Sequence, residues 1–108
     1  MSEYNERQYR LMLEHLVKFE NGEIALDTLV DSLEGLLNVL ENVSHPWKQE
    51  FLHDWGKLEQ ERAYALFKNI RTFDEATTER IRIAVAKLKL RVLEQIDDPG
   101  DRRTNLAQ

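Results

Sequence analysis

The sequence predicts an all-α, single-domain, up-down-up-down four-helix bundle with a flexible C-terminal tail. Three observations point there. Apolar residues recur at three- and four-residue spacings in four separate segments. A content of 4 Gly and 2 Pro in 108 residues leaves few turn formers for a β-protein. The gaps between the segments are about four residues, a length that joins antiparallel neighbours in a bundle. The bundle is expected over residues 1–98 and the tail over 99–108.

The first helix is expected from about Asn5 to Glu20, with Tyr9, Met12, Leu13 and Leu16 on one face. Asn21-Gly22 supplies its stop, because Gly enters the left-handed region without a Cβ clash. The second is expected from about Asp27 to Asn42. Leu26, Leu29, Val30, Leu33, Leu36, Leu37 and Leu40 form its stripe, and Asp27 or a neighbour is its candidate cap.

The third helix has the clearest start. Ser44-His45-Pro46 offers a capping hydroxyl and then a proline in the first turn, where a missing N–H costs nothing. It is expected to reach about Asn69, with Trp47, Phe51, Trp55, Leu58 and Leu66 near one face. Gly56 lies inside it and is expected either to admit a close neighbour or to mark a bend. At 1.5 Å per residue this helix would be about 36 Å long and the second about 24 Å. The third must therefore break near Gly56 or project beyond its neighbours. The fourth is expected from Phe73-Asp74-Glu75 to about Ile96, with Ile81, Val85, Leu88 and Val92 inward and Asp97-Asp98-Pro99-Gly100 closing it.

Composition excludes several chemistries. The chain has no Cys, so disulfides, thiolate metal sites and Cys nucleophiles are absent. Its apolar runs are short, three residues at Leu11-Met12-Leu13 and at most five at Ala63-Tyr64-Ala65-Leu66-Phe67, far short of a membrane span. The polar N-terminus is unlike a secretory signal, so the cytoplasm is the expected location. No phosphate loop, His-Glu-x-x-His or nucleophile elbow occurs. Glu50-Phe51-Leu52-His53 has the Glu-x-x-His spacing of di-metal bundles but no second copy, so His53 is expected at the surface and no cofactor is expected. The carboxylates of Asp54 and Glu61 are expected to be solvated or ion-paired, and no catalytic residue is assigned.

Charge is unevenly distributed. Over the whole chain the net charge is −5. Residues 21–43 hold Glu23, Asp27, Asp31, Glu34 and Glu41 with no Lys or Arg, whereas residues 71–96 hold six basic groups against four acids. Asp27, Asp31, Glu34, Asn38 and Glu41 fall in one sector of the second helix, beside its leucine stripe. The stripe is a solvated face, or one neutralised by Arg and Lys of the fourth helix, or a docking surface for a basic protein. The acidic overall balance argues against direct nucleic-acid binding. Trp47 and Trp55 are core anchors or hot-spot residues, with Trp47 expected partly exposed at the end of the bundle.

The run Phe19-Glu20-Asn21-Gly22-Glu23-Ile24, then Leu29-Val30, Leu33-Glu34, Leu36-Leu37, Leu40-Glu41, Trp47, Phe51, Trp55-Gly56, Leu58-Glu59 and Ala63 resembles small all-helical immunity proteins of bacterial polymorphic toxin and contact-dependent growth inhibition systems. The resemblance covers about half the chain. It implies a non-enzymatic protein that neutralises a cognate toxin, commonly a basic nuclease domain, by stoichiometric masking of its active site or a surface it needs. Asp27, Asp31, Glu34 and Glu41 are then the first candidates for partner binding, and Trp47, Asp54, Glu59 and Glu61 the second. No membrane partner is expected, and the protein is expected as a monomer or weak homodimer. A helical adaptor or self-associating module is the alternative.

Overall fold

The computed structural model describes residues 2–96. Four helices follow in order: α1 (Glu3–Glu20), α2 (Leu26–Asn38), α3 (His45–Lys68) and α4 (Glu75–Ile96). They form an antiparallel ring. α1 packs between α2 and α4, and α3 packs between them on the other side. α2 and α4 therefore occupy opposite corners. The tail expected over 99–108 lies outside the described residues.

Each boundary has a local cause. The Ser2 hydroxyl accepts the Asn5 N–H at 3.0 Å and starts α1. At its end Gly22 takes φ +77°, Gly22 N–H donates to Phe19 O and Glu23 N–H to Lys18 O. This is the paired closure that a left-handed residue permits. Ser44 Oγ accepts the Trp47 N–H at 3.2 Å, with Pro46 in the first turn of α3. Asp74 Oδ1 accepts the Thr77 N–H at 2.7 Å at the head of α4. α2 departs from expectation. Ala25 occupies its capping position without a side-chain hydrogen bond, and Asp27 lies in the first turn.

α2 also ends about four residues sooner than its leucine pattern suggests. The buried Asn5 side chain donates to Glu41 O at 2.6 Å and accepts the Glu41 N–H at 3.0 Å. That two-pronged clamp fixes the Glu41 peptide against α1, and Asn42 follows with φ +54°. The chain is thus diverted out of the helix while Leu40 and Val43 still pack on the core.

The core joins one stripe from each helix. Tyr9, Met12 and Leu16 face Leu29, Val30 and Leu33, then Trp47, Phe51 and Leu58, then Ile81, Val85, Leu88 and Val92. α3 is continuous, so Gly56 marks no break, and a Cβ there would meet nothing within 4 Å. The unequal lengths are resolved by overrun. The Trp55 indole donates to Val30 O at 3.0 Å, which sets these residues level. From there α2 has four residues left to Leu26 and α3 thirteen to Lys68. The nine-residue difference extends α3 by about 14 Å. Leu66, expected inward, is consequently 74% exposed, and Ala65 takes the buried position instead.

Candidate interaction surface

The acids of α2 sit on the flank that turns toward α3. Val30, one edge of the buried stripe, meets Trp55. Asp27, Asp31 and Glu34 lie just beyond that edge, and all three are exposed. Among the described residues none of them has a cationic nitrogen within 4 Å. Glu41 is exposed and likewise unpaired, but it belongs to the α2–α3 connection rather than to the helical ridge. The ridge is therefore three carboxylates at spacings of four and three, followed by the amide of Asn38.

Topology explains why α4 does not neutralise this ridge, as one reading of the sequence allowed. The two helices are diagonal, and four of the five cations of α4, all but Lys87, are engaged elsewhere. Arg80 pairs with Glu61 of α3 at 2.8 Å, Arg91 with Glu50 at 2.9 Å, Lys89 with Glu20 of α1 at 2.8 Å, and Arg82 with Glu79 on its own helix. Arg62 on α3 does sense the ridge. Its guanidinium is held more basic than usual, first by its hydrogen bond to Glu59, with Asp31 and Asp27 adding smaller contributions. Yet its nitrogens are committed to Glu59, with Nη2 2.7 Å and Nε 3.2 Å from Oε1. Glu59 thereby keeps this cation on α3.

In the second group of candidates Trp47 departs from expectation, whereas Asp54 and Glu61 are ion-paired, as one reading of the sequence had it. Trp47 is 6% exposed, not open at the bundle end. It packs edge-on against Tyr9 with ring centroids 5.5 Å apart, stacks at a tilt on Phe51, and donates its indole N–H to Arg91 O at 2.9 Å. Asp54 is 2% exposed and lies beneath Arg91, so it is neither solvated nor presented to a partner. The apolar spacing of α3 carries both inward, because Trp47, Phe51, Asp54 and Leu58 share one face. Glu59 and Glu61 are half-buried and ion-paired with Arg62 and Arg80.

Beside the ridge lies an apolar edge that residue patterning alone did not reveal. Leu66 and Ile70 border a shallow depression with Leu26, Asp27, Arg62 and Ala65. Tyr64 and Phe67 continue the exposed apolar surface around the end of α3. The available signal was the length mismatch between the second and third helices. His53 is exposed and Glu50 is bound to Arg91, and among the described residues no group of three or more His, Asp or Glu side chains is arranged to hold a metal. No described helix is long and apolar enough to cross a membrane. Comparison of the chain with family models, characterised proteins and solved structures gave no match.

Proposed function

We propose that the protein is an immunity protein that binds a cognate toxin domain, a basic nuclease, and neutralises it by covering its active site or a surface it requires. The observation that carries this reading is the ridge of Asp27, Asp31 and Glu34, exposed and without a cationic partner among the described residues, while most carboxylates on α1, α3 and α4, all but Glu3 and Glu75, are paired. Like charges at these spacings repel, at a few tenths of a kcal/mol per pair. A cationic protein would relieve that repulsion. Nuclease surfaces that hold phosphates are often cationic, so the ridge would both steer the encounter and occupy phosphate positions. The resemblance in the Phe19–Ala63 region supports the same class.

The test is capture of the partner from the source cells, assay of the captured protein for nuclease activity with and without this protein, and repetition with D31K/E34K. The double variant is expected to retain its helix content and melting temperature and to lose inhibition. Equal inhibition by the variant would remove α2 as the contact surface. A captured partner without toxic activity would remove the immunity role.

A further inference from the structure

The groove between α3 and α4 is a second site, independent of the acidic ridge and of the toxin reading. Its volume is about 360 Å³, the scale of small-molecule sites. Lys57 and Gln60 line its α3 bank and Arg80 and Lys87 its α4 bank, with apolar surface from Ile83 and Ala84 between the two α4 cations. Glu61 is the one carboxylate on the lining, and it is taken up by Arg80 at 2.8 Å. Arg80 Nη2 donates to Thr77 Oγ1 at 2.9 Å, which holds that pair at one end of the groove.

Lys57 and Lys87 are left over. Both are exposed, and among the described residues neither has a carboxylate within 4 Å. α3 and α4 run antiparallel, with Glu61 meeting Arg80 at one end and Trp47 meeting Arg91 at the other. One turn back from Glu61 and two turns on from Arg80 therefore lead the same way. Lys57 and Lys87 stand on opposite banks, about one turn apart along the groove and away from the neutralised pair. Three cations against one carboxylate leave the groove at +2, in a chain of net −5. Two ammonium groups so placed repel each other unless an anion lies between them.

We propose that this groove binds a phosphomonoester of a small molecule, its phosphate between Lys57 and Lys87 and its carbon part against Ile83 and Ala84. Such a phosphate carries about −1.5 to −2 at neutral pH and three acceptor oxygens. The two ammonium groups and the Gln60 amide complement it in sign and in donors. A carboxylate would balance only one of the lysines. A nucleic acid would extend its charge beyond the groove, where a chain of net −5 repels it. Because the lysines are solvated, the affinity is modest, with a Kd on the order of millimolar. The ridge lies on α2, diagonal to α4, so occupation of the groove leaves it open.

Titration of the isotope-labelled protein with phenyl phosphate, followed through amide shifts at constant ionic strength, tests this. Saturable shifts are expected at Lys57, Gln60, Ile83, Ala84 and Lys87, with an affinity about tenfold above that for inorganic phosphate, which lacks the apolar part. K57A/K87A, changed at two exposed positions, is expected to keep its helix content and melting temperature and to lose the saturable shifts. Shifts that do not saturate at concentrations on the order of tens of millimolar overturn the proposal. So do shifts of equal size at Lys48 and Lys68, or binding that K57A/K87A leaves intact. Equal affinity for inorganic phosphate overturns the ester, and tighter binding of a single-stranded oligonucleotide through the same amides overturns the small-molecule occupant.

Discussion

Asp54 is the side chain with most at stake. Its carboxylate is buried, and its Oδ2 has no hydrogen-bond donor. The Arg91 Nε, also without a hydrogen bond, lies 3.7 Å away, while Arg91 Nη1 reaches outward to Glu50. Arg91 supplies the charge that makes the buried carboxylate tolerable, without good hydrogen-bond geometry. Removing one partner strands the other. R91M is expected to cost about 3 kcal/mol, the low end for breaking a buried pair because Arg91 is partly solvated. D54L/R91M is expected to recover most of that loss in urea unfolding. A second residue-scale effect concerns acid. The Thr77 backbone N–H holds the Asp74 carboxyl below the usual aspartate range. A lowered folded-state value means stability that is present above the ordinary aspartate pKa and lost as pH falls through the lowered one. D74N, which can still accept that N–H, is expected to flatten the fall in stability below about pH 4, as followed by urea melts.

At the scale of the helix, two glycines carry a cost that packing does not explain. Gly35 in α2 and Gly56 in α3 would each accept a Cβ into open space. G35A and G56A are each expected to stabilise by about 0.5–1 kcal/mol, and to raise Tm by a few degrees in calorimetry. The Asn5 clamp acts in the other direction. N5A leaves the Glu41 peptide without its partners and is expected to cost about 1–3 kcal/mol, with faster amide exchange at Glu41. These elements also show what a sequence can reveal. Ser44-His45-Pro46, Asn21-Gly22 and Asp74 act through neighbours five or fewer residues apart, so their roles are legible in the chain. The end of α2 is set by a residue 36 positions earlier, and local pattern carries no trace of it. Asp54 was hidden for a related reason. It occupies an inward position of α3, between Phe51 and Leu58, but its charge interrupts the apolar pattern that would have announced burial. The same helix gave Leu66 a position on the apolar side that only the overrun past α2 exposes.

Across the whole molecule the decisive fact is the placement of α2 opposite α4. The ridge acids were legible in the sequence, but their lack of a partner was not, because that depends on which helices are adjacent. If the ridge guides a basic partner, its influence falls with ionic strength. The association rate is expected to drop steeply between low and physiological salt, and D31K/E34K to slow association more than it speeds dissociation in stopped-flow mixing. The two indoles have a use of their own. Trp47 is hydrogen-bonded to a backbone oxygen of α4 and Trp55 to one of α2, so each fluorophore watches a different contact of α3. Single-tryptophan proteins made by W55F and W47F would report separately on the two halves of the ring, and emission curves that overlay would mean that both halves melt as one cooperative unit.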